Sequence, residues 1–199
     1  DSVGGMKLSY SFWEKFALIP NVLGIKLAPF NRYKTIDAMR AVCESGKDIT
    51  VYTGNDDNII PDLLTEYRFS ANGKTCGIRF RGGLLGHWAV WTSKAVELLD
   101  EIHSVIEKGD SVSGELLSRG IAVSDSNAAF FDVDNHFQGC IPGIHEVLRR
   151  QGLLSGTWCL NPAEVLSPGQ KDEIDRIYKS YPKLNDDAFV NAHLEEWLS

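Results

Sequence analysis

Asn21-Val22-Leu23-Gly24-Ile25-Lys26-Leu27-Ala28 is an apolar, strand-like run with a lysine in its middle, and its reading decides the fold. Alternation along an extended chain puts Leu23, Ile25 and Leu27 on one side and Val22, Gly24, Lys26 and Ala28 on the other. The bulky side suits packing under helices, and the lysine side has small neighbours. An ammonium set in an apolar strand needs a reason, because a charge is costly to remove from water. Two reasons stay open at this point. The side chain snorkels its charge to solvent, or it is a desolvated amine whose lowered pKa leaves the free base that carbonyl condensation requires.

Upstream, residues 1–8 are irregular, and Ser9 or Ser11 caps a helix bearing Tyr10, Trp13, Phe16 and Ala17. Pro20 closes it. Downstream, Pro29-Phe30-Asn31 turns into a helix with Ile36, Met39, Val42 and Cys43 at helical spacing, ended by Gly46. Residues 48–53 form the next strand, with Ile49 and Val51 on one face, Thr50 and Tyr52 on the other, and a polar end at Thr53-Gly54-Asn55-Asp56-Asp57. A short helix over about 58–67 and a hairpin over 68–80, turning at Asn72-Gly73, come next. Gly82-Gly83-Leu84-Leu85-Gly86-His87 reads as a third main strand. It runs into a long helix striped by Trp88, Trp91, Ala95, Leu98, Leu99, Ile102, Val105 and Ile106. Helix and strand alternate as in a parallel α/β protein.

Beyond about Lys108 only helices are expected, over 113–118, 125–134, 142–151, 168–181 and 187–198. The fourth has Ser167 as cap, Pro168 in the first turn, Gln170 three residues on, and Ile174, Ile177, Tyr178 and Tyr181 along one face. The expected organisation is an α/β part over residues 1–107 and a helical region over 108–199. Three main strands cannot close a barrel, and the chain opens without a methionine, in what reads as the loop after a missing strand. It is therefore expected to be the C-terminal part of a longer protein; an independent three-strand domain would carry exposed sheet edges.

The 199 residues are 43% hydrophobic and 24% charged, a balance that gives a globular chain a sizeable core and speaks against disorder. No apolar run approaches the roughly 20 residues that span a bilayer, and residues 1–5 do not resemble a signal peptide, so no membrane partner and a cytoplasmic location are expected. The net charge of −7, with no basic block, argues against nucleic acid as a partner. Cys43, Cys76, Cys140 and Cys159 are widely separated and show no C-x-x-C spacing. Neither a disulfide framework nor a zinc site is suggested, and all four are expected to be reduced packing residues.

Ile19-Pro20-Asn21-Val22-Leu23-Gly24-Ile25-Lys26 resembles the lysine strand of the dihydrodipicolinate synthase and N-acetylneuraminate lyase superfamily, the Schiff-base aldolases. The order of Gly24-Ile25-Lys26, Gly54-Asn55-Asp56-Asp57 and Gly82-Gly83 matches that superfamily's sixth, seventh and eighth barrel strands. More narrowly, the chain resembles the C-terminal half of a dihydrodipicolinate-synthase-like family of unassigned function. The marks are Ala28-Pro29-Phe30-Asn31-Arg32-Tyr33, Tyr52-Thr53-Gly54-Asn55-Asp56-Asp57, Gly82-Gly83-Leu84-Leu85-Gly86-His87-Trp88 and Gly143-Ile144-His145-Glu146-Val147-Leu148-Arg149-Arg150.

The resemblance implies an α/β fold, the C-terminal part of a (β/α)8 TIM barrel (strands 6–8) followed by a helical C-terminal extension, with Lys26 at the usual catalytic mouth. It implies a lyase in which the Lys26 amine condenses with the carbonyl of a small 2-oxo acid such as pyruvate, the iminium then serving as an electron sink. Such chemistry needs no metal or organic cofactor, and homo-oligomerisation is common in the superfamily. Its proton-relay tyrosine and Gly-Thr-Thr-type carboxylate turn would both precede Asp1. Leu84 to Trp88 replace the small, hydroxyl-containing tail usual in the synthases, so substrate choice does not carry over.

Tyr52, Thr53, Gly54, Asn55, Asp56, Gly83 and His87 are the candidate substrate-binding residues around Lys26. Thr53, Asn55, Asp56 and Asp57 have helix capping ahead of Ile59 and Ile60 as their plainer role. His87 can be an acid, a base or a ligand, or only a cap at a strand-to-helix junction, and Tyr52 can bind substrate or pack. His136 and His145 read as structural, the tryptophan stripe as core, and no phosphate-cradling loop is present. Two rival functions remain: a metal-dependent barrel enzyme using Asp56, Asp57 and His87, and a non-catalytic barrel that binds a small acid.

Overall fold

Contacts divide the chain into two units, Asp1–Leu85 and Gly86–Ser199, and a computed structural model describes residues 5–71 and 73–199 of it. In the first unit, α1 (Tyr10–Ala17) starts at Ser9, whose hydroxyl accepts the Phe12 amide at 3.3 Å, so Ser9 rather than Ser11 is the cap. After β1 (Gly24–Leu27), α2 (Arg32–Glu44) starts at Asn31, whose side-chain oxygen accepts the Lys34 amide at 3.2 Å. It ends where Gly46 takes a φ of 66°, a turn that an L side chain resists. Then come β2 (Thr50–Thr53), the short α3 (Ile59–Leu64), the hairpin β3 (Tyr67–Ala71) and β4 (Lys74–Ile78), and β5 (Gly82–Gly83). Of the expected Asn72-Gly73 turn, Asn72 lies outside the described residues and Gly73 has a φ of 76°.

The chain is an α/β protein with a small sheet of three parallel strands in the order β1-β2-β5, beside the two-stranded antiparallel hairpin. Gly24 stands opposite Thr50, Lys26 opposite Tyr52, and Tyr52 opposite Gly82. Alternation gives the sheet two unlike faces. Leu27, Val51 and Thr53 are buried on one, where α3 packs on β2 and β5 and where Ile59, Ile60 and Leu63 complete the layer. Gly24, Lys26, Thr50 and Tyr52 are exposed on the other. Leu23, just outside the paired stretch, is 81% exposed and does not join the packed face.

Of the two readings left open for Lys26, the exposed one is found, since alternation turns it to the same face as the exposed Gly24, Thr50 and Tyr52. Two expectations are corrected here. The third strand is only two residues long. The Leu84 amide makes one more bond to the Thr53 carbonyl at 2.9 Å, and Gly86–Ala89 then coils into a 3-10 turn. Cys43 and Cys76 are not reduced: they form a disulfide between α2 and β4, with Cα atoms 6.0 Å apart. Their separation of 33 residues has no local signature, which is why spacing alone did not pair them. Cys140 and Cys159 are free thiols.

The second unit contains α4 (Thr92–Lys108), α5 (Gly114–Phe130), α6 (Cys140–Arg150), α7 (Gln170–Ser180) and α8 (Asp187–Leu198). Residues 86–107 fall in this second unit by contacts. Trp91 adopts a left-handed φ of 54° just before α4, so Trp88 and Trp91 precede that helix instead of continuing its stripe. The helices expected over 113–118 and 125–134 are one, α5. Gly120 is tolerated inside it, and the Ser126 hydroxyl is satisfied by the Ala122 carbonyl at 2.8 Å. The core joins Trp91, Phe130, Val147, Ile174 and Ile177, so the apolar face expected for α7 is the face it buries. Among the described residues no helix is long and apolar enough to cross a membrane.

Candidate functional site

Parallel pairing sets Lys26 beside Tyr52 on the open face of the sheet. The lysine chain leans toward the C-terminal end of its strand and passes over Gly54. A Cβ built on Gly54 would stand 2.5 Å from Lys26 Cε and 3.4 Å from Nζ, so only glycine leaves the amine this path. Gly54 is itself held by the sheet, its amide donating to the Leu27 carbonyl at 2.7 Å. Tyr52 lies across Gly82 in the same way: a Cβ there would stand 2.7 Å from Tyr52 Cε1. Gly83, next in line, makes room on the opposite face, where a Cβ would stand 2.9 Å from Ile59 Cδ1.

Beneath this surface is a cluster that the sequence did not announce. Asp62 is fully buried, and its carboxylate accepts four donors. Arg32 and the Tyr67 hydroxyl, the latter at 2.8 Å, serve Oδ1; the Thr53 hydroxyl at 2.6 Å and the Asn55 amide at 2.8 Å serve Oδ2. The Asn55 amide also donates to Thr35 Oγ1 at 3.1 Å, and its carbonyl accepts the Phe30 amide at 3.1 Å. A buried carboxylate satisfied this fully is a strong fixture, since removing it would leave several donors unpaired in a dry interior. Burial first, and then the charge of Asp62, push the Tyr67 phenol well above its ordinary range, so Tyr67 stays a donor.

No family model and no curated protein matches the chain.

The geometry sorts the candidate residues. Lys26 and Tyr52 stand together on the open face. Thr53 and Asn55 are buried and spend their donors on Asp62, so they shape the Gly54 turn from below. Neither serves as a helix cap: α3 begins at Asn58, whose amide donates to the Asn55 backbone carbonyl at 3.0 Å. Asp56 is half-buried and engaged, and Asp57 is exposed. His87 lies in the second unit, 2% exposed, with Nδ1 3.2 Å from Asn127 Oδ1 and its ring edge-on to Phe130. Burial pushes its pKa down to about 4, which leaves a neutral imidazole at pH 7. Among the described residues, no group of three or more His, Cys, Asp or Glu side chains is arranged to hold a metal ion.

Asp62 could have been suspected from the sequence. Ile59-Ile60-Pro61-Asp62-Leu63-Leu64 sets an acid inside an apolar run, as the first stretch sets Lys26, and a charge in such a place calls for partners. Arg32, Thr35 and Tyr67 carry no such mark, because each joins the cluster only through the tertiary fold.

Proposed function

We propose that this chain supplies the nucleophilic lysine of a Schiff-base aldolase or lyase acting on a 2-oxo acid such as pyruvate or its aldol adduct. The observation that carries this function is the path of Lys26 over Gly54 to the C-terminal end of a parallel strand, beside Tyr52 on an open face. In parallel α/β sheets this is the end where ligands bind. The resemblance of the lysine strand, and the parallel order of three strands, support extending the sheet to a (β/α)8 barrel in the whole protein.

The Lys26 amine, as free base, attacks the carbonyl carbon and expels water, giving an iminium. Loss of a proton from the adjacent carbon gives an enamine, and the same electron sink allows an aldol bond to break. Tyr52, opposite Lys26 on the neighbouring strand, forms part of the same open face. The decisive experiment treats the full-length protein with pyruvate and borohydride, followed by intact mass and peptide mapping. A reduced pyruvate adduct on Lys26, absent from Lys26→Ala, is the expected result. Lack of an adduct across several 2-oxo acids would overturn the proposal.

A further inference from the structure

We infer that the Cys43–Cys76 disulfide is a thiol–disulfide exchange site for an anionic low-molecular-weight thiol of the glutathione class. Both cysteines are half-buried and line an open cavity of about 400 Å³ whose wall also carries Lys47, Arg79 and Arg81. The acids on that wall are Asp48 and Glu66, and Glu66 is already paired with Arg68 at 2.6 Å and with Arg79 at 3.6 Å. Lys47 and Arg81 therefore face one uncommitted carboxylate, Asp48, among the described residues. Lys47 holds the Leu18 and Ile19 carbonyls at 2.6 and 3.2 Å, and Arg79 holds the Leu64 carbonyl at 2.8 Å. Arg81 is exposed, and its guanidinium makes no hydrogen bond or ion pair among the described residues, which leaves it available to a carboxylate of the incoming thiol.

The exchange is a two-electron reduction by two thiols. The thiolate sulfur bonds to Sγ of one cysteine, the S–S bond breaks, and the other cysteine leaves as a thiolate, which the cationic wall stabilises. A second thiolate then attacks the small-molecule sulfur of that mixed disulfide, the bond to the protein sulfur breaks, and the cysteine leaves as a thiolate, giving two protein thiols and the small-molecule disulfide. Where thiols buffer the compartment, disulfides that are seen are commonly of this exchangeable kind. The bond closes the chain segment from α2 to β4, which contains β2, the Gly54 turn, α3 and Tyr67. It thereby draws together the elements that hold Asp62, with Arg32 and Thr35 at the other end of α2 and Tyr67 on the strand paired with β4.

The test does not depend on the Schiff-base function, because it reads thiols and not turnover. The full chain, purified without reductant, is alkylated with iodoacetamide before and after exposure to reduced glutathione, then weighed and peptide-mapped. Two alkylated cysteines before, Cys140 and Cys159, and four after are expected, with a transient glutathione adduct on Cys43 or Cys76. At equal thiolate concentration, glutathione should open the bond several-fold faster than cysteamine, and Arg81→Gln should erase that preference. The chain's net charge of −7 would by itself favour the cationic thiol, so a preference for glutathione reports the local wall. Four alkylated cysteines before any reductant, equal rates for the two thiols, or opening only on unfolding in urea would each overturn the inference.

Discussion

Lys26 Cε occupies the space that a side chain on Gly54 would need, 2.5 Å from the position of a Cβ there. Gly54 takes no left-handed φ, so alanine is tolerated by the backbone; of the atoms it meets, Lys26 Cε is the far end of a flexible chain, and Ala28 Cβ, at 3.0 Å, must give by a few tenths of an ångström. Gly54→Ala should therefore cost about 1 kcal/mol or less in stability, yet slow borohydride trapping on Lys26 by about tenfold through misplacement of the amine. Urea melts and trapping rates on one preparation separate the two effects. A trapping rate equal to wild type would show that the path over Gly54 has no chemical role.

Asp62→Ala should destabilise the first unit by about 3–5 kcal/mol, since Arg32, Tyr67, Thr53 and Asn55 would lose their shared acceptor. Thr53→Val removes one donor and should cost about 1–2 kcal/mol. Equilibrium urea unfolding measures both. Near-equal values for the two variants would mean that the cluster does not act as a unit around Asp62.

His87 gives the second unit a pH dependence with a definite sign. Its pKa is about 4 when folded, against an ordinary value of 6.5, so between these values the unfolded chain binds the proton more readily. Its contribution is intact above pH 6.5 and is lost as pH falls toward 4, to a limit of about 3 kcal/mol. His87→Gln should flatten that part of the profile relative to wild type. Parallel profiles for the two proteins over pH 4–6.5 would contradict a buried, neutral imidazole.

Gly143 sits in α6, where a Cβ would stand 2.1 Å from the Phe130 carbonyl oxygen, a backbone atom that cannot swing aside. Gly143→Ala should cost about 3 kcal/mol or more. Thermal unfolding that matches wild type would show that α6 can shift away from the end of α5.

What the sequence disclosed was local. Alternation assigned Ile49 and Val51 to one face and Thr50 and Tyr52 to the other, and helical spacing identified Ile174 and Ile177 as core; both are properties of neighbours along the chain. Alternation also turned Lys26 away from Leu27, but it could not say whether the lysine side would be covered, since that depends on elements distant in sequence. For the same reason the Cys43–Cys76 bond and the donors of Asp62 were not visible, being 33 and up to 30 residues apart. Trp91 is core, as expected, but its place in the helical stripe was misread for a different reason. Its spacing continues the α4 stripe smoothly, while its backbone turns left-handed one residue before the helix begins.

The two unlike faces of the sheet divide its strands letter by letter. In Thr50-Val51-Tyr52-Thr53, the second and fourth residues are buried and answer to folding, whereas the first and third are exposed and answer to whatever the surface meets. Exchanges at Thr50 or Tyr52 should leave the fold almost untouched, while Val51 and Thr53 are constrained. What the surface presents can thus drift on alternate positions of a strand only four residues long, without the intervening positions having to change.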